Sequence, residues 1–445
     1  MIITNKSGQN KLRHITLAVS LLFTLPAMAA STVEERLNEL QQRLDGMQKL
    51  QEEVNNLKAQ LSQERKDRQD SQETMADRVL ASAKTASTDS LTAEPATSIG
   101  GYGEITYSNF KDDVAHPATA DLRRFVMFLG HRFNDRMAFH SELEVEHAVA
   151  SASDKGEVEI EQAYIDYNFN DAANVKAGLF LIPLGLLNEN HEPPVFYGVN
   201  RNEVETRIIP TTWREGGVGF FGRTDNGFGY DVGVTTGFDA GKIDNPAFGV
   251  QSGHQELQLA HANDLSVYGS VKYTGQPGLL LGAGIFTGNT GQNGAAEIAA
   301  GTTPTLQGVN ARLTLAEIHA RYAAHGFDLQ ALYAGGSLGD ADKVTSAIGK
   351  AAPKSLKGGY VQAAYHVWVS GEMDLAPFIR FEKFDIDQQE DIAKGFLEDP
   401  TGHDRVTTIG FNFKPVNDVV LKADYQNYQK DRSNSSINLG LGYMF

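Results

Sequence analysis

The chain has 445 residues, among them 44 Gly, 23 Phe and 15 Tyr, with a formal net charge of -17 and no cysteine. Without thiols there is no disulfide framework and no thiolate zinc site, and the acidic balance argues against nucleic acid as a partner. Abundant glycine with aromatic residues favours tightly turned, aromatic-banded strands instead.

In chain order, Lys6, Lys11 and Arg13 form a positive region, Ile15 to Leu25 an apolar core, and Ala27-Met28-Ala29 a small-residue cleavage site. Residues 1–29 therefore read as a signal peptide, because the apolar run falls short of the ~20 residues a spanning helix needs. No later stretch is long and apolar enough to span as a helix, so a membrane would be crossed by strands.

Residues 30–83 read as a periplasmic coiled-coil stalk. Val33, Leu37, Leu40, Leu44 and Met47 step by four and three, and Leu50, Val54, Leu57 and Leu61 resume the rhythm after one extra three-residue step. Thr32 and Glu35 make a capping box at its start. The remaining positions are polar, so the helix has a seam too narrow for a globular core and needs partner copies. Leucine at both core positions permits two or three of them. At 1.5 Å per residue the main seam would be roughly 43 Å long. Residues 84–97, rich in Ala, Ser and Thr with Pro95, read as a linker.

From residue 98 to 445 the pattern changes to period two. Sixteen strands are expected, near 99–109, 121–134, 136–147, 158–170, 173–182, 211–222, 228–238, 263–274, 278–287, 312–324, 327–336, 358–369, 374–387, 403–414, 417–430 and 434–445. Short turns such as Asn134-Asp135 and His325-Gly326 alternate with long polar loops such as 239–262 and 288–311. Short turns on one rim and long loops on the other suit a membrane barrel. In the last strand Ile437, Leu439, Leu441, Tyr443 and Phe445 share one face, with small polar residues on the other. Tyr443 and the terminal Phe445 resemble the carboxy-terminal insertion signal of bacterial outer-membrane barrels.

Carrying that phase backward puts Val419, Leu421, Ile409, Phe411, Val361, Ile318, Tyr333 and Phe139 on the lipid side. Arg124, Arg132, Glu142, Glu144, Lys176, Arg321, Arg380 and Lys422 then face a wet lumen. A charge on the lipid face near mid-bilayer costs about 2–4 kcal/mol, which enforces the segregation. Segment 183–210 is about twice the usual connection length and mixes Glu189, His191, Glu192, Arg201, Glu203 and Arg207 with Leu184, Leu186, Ile208 and Ile209. It is expected to fold inward and constrict the channel.

The pattern Gly178-x-Phe180-x-x-Pro183-x-Gly185, continued by this loop and Thr211-Thr212-Trp213, resembles the phosphate-selective porin O/P superfamily. The helical extension is similar to that of the DcaP-like porins, a resemblance that implies a homotrimer with a periplasmic stalk. The inward charges depart from a basic phosphate path, since cations and carboxylates roughly balance.

Other chemistry lacks support. His191-Glu192 has no second His at helical spacing and is followed by Pro193-Pro194, so no metal is expected there. No catalytic residue and no cofactor are expected either.

The resulting expectation is an all-β protein, a 16-stranded antiparallel transmembrane β-barrel preceded by an N-terminal helical coiled coil, in the outer membrane of a Gram-negative bacterium. It would be a porin passing small hydrophilic solutes through a water-filled channel, with outer-membrane lipid around it. Two other readings are a channel selective for small anions such as phosphate or dicarboxylates, and an envelope-spacing protein tethered to the cell wall through the stalk.

Overall fold

Strands that cross hydrocarbon must pair on both edges, since an open edge leaves backbone N–H and C=O groups with neither water nor partner. The computed structural model meets this by closure. Its β1 (Thr97–Phe110) pairs with β2 (Thr119–Asn134) on one side and with the last strand, β17 (Ser436–Met444), on the other. Between them run β3 (Met137–Glu146), β4 (Val158–Asn170), β5 (Ala173–Leu181), β6 (Arg214–Arg223), β7 (Phe228–Thr235) and β8 (Ser266–Gln276). Next come β9 (Leu279–Asn289), β10 (Arg312–Ala324), β11 (Phe327–Leu338), β12 (Pro353–Tyr365), β13 (Trp368–Ser370), β14 (Met373–Gln388), β15 (His403–Val416) and β16 (Val419–Tyr428). All neighbours are antiparallel, and β12 and β13 pair with successive parts of β14, so they form one stave broken at His366-Val367. The seventeen segments thus make a closed barrel of sixteen staves.

The structure describes residues 96–111 and 116–445, with Gln41 and Lys49 as isolated helical positions. The signal peptide, the stalk with its nine seam residues from Val33 to Leu61, and the linker up to residue 95 lie outside the described residues.

Connection lengths segregate as expected. Turns at 135–136, 171–172, 224–227, 277–278, 325–326, 371–372 and 417–418 close one rim, and every connection at the other rim is longer. Local chemistry makes the turns: His325 and Gly326 both have positive φ, 54° and 83°, which matches the twist of the flanking strands. At 135–136 the Asn134 Oδ1 accepts the amides of Arg136 and Met137 at 2.9 and 3.1 Å.

Alternation sorts the side chains. Ile437, Leu439, Ile409, Phe411, Leu421, Val361, Ile318 and Tyr333 are exposed on the outer surface, whereas Lys422, Asp424, Gln426, Glu317, Asp328, Glu142 and Glu144 are buried inside. Next to the short turns, Phe133, Phe169, Phe228, Phe327, Trp368 and Phe445 are exposed on the outside, forming the aromatic girdle of a membrane interface. Phe445 stacks on Phe125 at 6.1 Å between ring centres and closes the ladder through Gly101, donating to its carbonyl and accepting from its amide.

One expectation is corrected. The lumen is not wet throughout: at the long-loop end, Phe286, Leu313, Leu315, Leu332, Leu356 and Ile386 turn inward from the wall and pack with Phe238, Ile243, Val250, Leu306 and Val344 of the loops. Loops that bring apolar side chains must bury them, at about 1.5–3 kcal/mol each, and the inner wall is the surface within reach. The long connection also runs further than expected, Ile182 to Trp213. Trp213 keeps one ladder bond, its carbonyl accepting the Ile182 amide at 2.9 Å, while its own amide turns to Asn188 Oδ1 and its indole packs against Phe238 and Phe286.

Candidate pore constriction

The motif at the end of β5 launches the loop. Gly178 has φ +135° and a Cβ there would lie 2.3 Å from the Ala163 carbonyl oxygen, so only glycine fits between β4 and β5. Phe180 points into the apolar cluster, with the Lys176 ammonium 4.5 Å from its ring centre. Gly185, at φ +80°, sits where a Cβ would lie 2.4 Å from Glu205 Oε1.

Glu205 organises the rest of the loop. Its buried carboxylate accepts from the amides of Leu186 and Leu187 at 2.6 and 2.8 Å, from Asn202 Nδ2 at 2.8 Å and from the Tyr360 hydroxyl of β12 at 2.9 Å. Asn202 Oδ1 in turn accepts the Glu205 amide at 2.8 Å, so the two side chains brace the start of the helical turn Val204–Arg207. At the base, Asn188 spans the loop by donating to the carbonyls of Ile182 and Trp213.

The loop then crosses to the far wall. Arg380 of β14 donates to the Tyr197 carbonyl at 3.1 Å, Lys422 of β16 to the Gly198 carbonyl at 2.8 Å, and the Val199 amide donates to Asp424 at 2.6 Å. Tyr428 donates to Glu203 at 2.6 Å and Arg123 of β2 to Asn200 at 2.9 Å. Backbone groups with no ladder of their own are thereby satisfied by wall side chains. Arg207 lies between the rings of Phe248 and Phe384, 4.1 and 4.6 Å from their centres, and is paired with Glu203 at 2.5 Å. Burial raises the Glu192 carboxyl above its ordinary value.

A family model for the phosphate-selective porins O and P matches residues 100–195. An uncharacterized protein of Aquifex aeolicus strain VF5 is 30% identical over 368 residues, which cover 78% of this chain and 80% of that one. The family match places residues 100–195 within the porins. Among solved structures, the porin resembles the outer-membrane channel DcaP of Acinetobacter baumannii, with a TM-score of 0.51 at 12% identity over 78% of this chain and 97% of that one. It also resembles Salmonella typhi OmpF in complex with daunomycin, with a TM-score of 0.50 at 12% identity over the same shares. These two likenesses bear on the fold, a closed barrel of sixteen strands. With this family match and its closed barrel of sixteen staves, the protein is an outer-membrane channel for small solutes.

Of the expected pore residues in the porin, Glu189, Arg201, Glu203, Arg124, Arg132 and Arg321 are partly exposed. His191, Glu192, Arg207, Glu142, Glu144, Lys176, Arg380 and Lys422 are buried. Arg380 and Lys422 clamp loop carbonyls, and Lys176 is paired with Asp231 at 2.6 Å. Glu189 pairs with Lys272 of β8, and Arg321 holds Asp328 through two hydrogen bonds of 3.0 and 2.7 Å. Glu142, Glu144 and His191 come together in one cluster with Glu159 and Glu161 of β4. Glu161 is the organising residue that sequence reasoning passed over. The Asn202-x-x-Glu205 spacing was the one signal available for Glu205.

Proposed function

We propose that solutes cross this porin by passive diffusion through a water-filled path that the loop Ile182–Trp213 narrows, with size and opposed charges as the filter. The observation that carries this reading is that the loop, rooted in β5 and β6, is anchored across the lumen to Arg380 of β14 and to Lys422 and Asp424 of β16. The lining charges are Glu189 with Lys272 and Arg321 with Asp328, cation beside carboxylate. A path lined by such contact pairs presents no single sign along its length. The functional assembly is a homotrimer in outer-membrane lipid, with residues 30–83 as a stalk in the periplasm.

Single-channel recording in planar bilayers tests the reading. Purified protein should give discrete conductance steps, and protein that inserts without conducting refutes it. The match to the phosphate-selective family model favours a second reading, selectivity for small anions. Reversal potentials in a potassium chloride gradient decide between the two. A strong chloride preference that Arg321→Ala abolishes speaks for the second reading; weak selectivity of either sign speaks for the first.

A further inference from the structure

Where the loop meets β3 and β4, carboxylates outnumber their counter-charges. Glu104, Glu142, Glu144, Glu159 and Glu161 face the two guanidinium groups of Arg124 and Arg214. Arg201 of the loop, bonded to Thr211 Oγ1 and the His191 carbonyl, adds a third positive charge and still leaves the carboxylates in excess. Glu142, Glu144 and Glu161 are essentially without solvent exposure. Buried negative charge in excess is costly unless a cation or protons compensate it.

His191 indicates a cation. It is 3% exposed, and its Nδ1 lies 3.0 Å from the Asn188 carbonyl oxygen, which can only accept. Nδ1 therefore donates, and Nε2 is left facing the cluster, as a second N–H in the imidazolium or as a lone pair in the neutral ring. That Nε2 has no hydrogen-bond partner and is aimed between Glu142 Oε1, at 3.5 Å, and Glu161 Oε2, at 3.8 Å. Between that nitrogen and two carboxylates a positive charge is required, a proton or a metal ion, and only a metal ion would use all three groups as ligands. Glu142 Oε1 and both oxygens of Glu161 also lack hydrogen-bond donors. Ligands at about 2.0–2.2 Å from one ion in tetrahedral arrangement stand roughly 3.4 Å apart, close to these separations.

The supporting groups have the form that metal ligands require. An imidazole whose other nitrogen donates to a carbonyl is held in one tautomer and orientation. Asn188, which supplies that carbonyl, is fixed by its side-chain bonds to Ile182 and Trp213. Glu142 Oε2 accepts from Gln162 Nε2 at 2.7 Å, which orients the carboxylate. Glu161 reaches the cluster through a β-bulge, because the register of β3 and β4 slips between Glu142/Gln162 and Leu143/Ile160.

We propose that Glu142, Glu161 and His191 bind one divalent transition-metal ion of the Zn²⁺ or Mn²⁺ class, tying the inward loop to the barrel wall. One imidazole nitrogen with carboxylate oxygens suits these ions better than Ca²⁺ or Mg²⁺, which take oxygen alone. Glu144 stands beside Glu161 as a further oxygen donor.

The test uses the full chain without an oligohistidine tag, folded in detergent, stripped with EDTA and dialysed against micromolar zinc chloride. Elemental analysis should find one zinc per chain, lost in Glu161→Gln and His191→Ala, with folding followed by the heat-dependent shift of the barrel on a gel. Zinc at background in the folded wild type, or zinc retained in both variants, overturns the proposal. X-ray absorption at the zinc edge needs no variant: an imidazole shell at about 2.0 Å is expected, and a shell of oxygens alone overturns it. Metal content is read without conductance, so this result stands apart from the channel reading.

Discussion

Tyr360 and Glu205, 155 residues apart in the chain, meet inside the barrel, where the wall phenol donates to the loop carboxylate at 2.9 Å. Tyr360→Phe removes one of four donors to a buried carboxylate and leaves the ring packed. A loss of about 1–3 kcal/mol is expected, in the range of a hydrogen bond to a charged group. Glu205→Ala should cost more, because the amides of Leu186 and Leu187 lose their acceptor. Reversible urea unfolding in detergent measures both, and equal losses would show that the loop amides find other partners.

Gly178 and Gly185 predict strain rather than lost contacts. Gly178→Ala forces a side chain into φ +135° against the Ala163 carbonyl. A cost of about 1–3 kcal/mol is expected from the backbone alone, with more from the collision. Gly185→Ala pushes on Glu205 and should loosen the loop while sparing the barrel. Limited proteolysis within 186–206 separates the two: cleavage should rise in the Gly185 variant at temperatures where the barrel remains folded.

His254, in the long connection 236–265, supplies a pH dependence. Burial, with Arg214 nearby, lowers its pKa from 6.5 to about 4. Glu256 Oε1 lies 3.3 Å from the ring but is itself held by Arg214 at 2.9 Å, so it offers little relief. The unfolded loop binds a proton that the docked loop refuses. Stability from this group is therefore complete above about pH 6.5 and is lost as pH falls toward 4, by up to about 3 kcal/mol. Hydrogen exchange in residues 236–265 should quicken over that window, and His254→Gln should flatten the dependence.

The staves and the turn rim were legible in the sequence because lipid enforces strict alternation and charges on the outer face are expensive. His325-Gly326 and Asn134-Asp135 announce their turns by residue type alone. Two kinds of feature were hidden. A bulge reverses phase without a sequence mark, and by strict alternation from Gln162 and Tyr164 the inward Glu161 falls on the lipid side. The partners of His191 were equally hidden, since they come from β3 and β4 rather than from its own helical spacing. The apolar filling at the long-loop end escaped for a third reason: Leu306 and Val344 are scattered singly through polar loops, and only tertiary packing gathers them.

Glu189 and Lys272 carry the prediction for selectivity. Both side chains are about a third exposed, so each is a charge beside the path as well as a partner in a pair. Glu189→Gln leaves the ammonium uncompensated and should move the reversal potential toward chloride. Lys272→Gln exposes the carboxylate and should move it toward potassium. A unit charge about 4 Å from a passing ion in water contributes about 1 kcal/mol, so the permeability ratio should change roughly two- to fivefold at low salt. The change should shrink as ionic strength rises and the Debye length contracts. Opposite shifts of similar size from the two variants are expected. Shifts of the same sign would mean that loop rearrangement, rather than charge, governs the response.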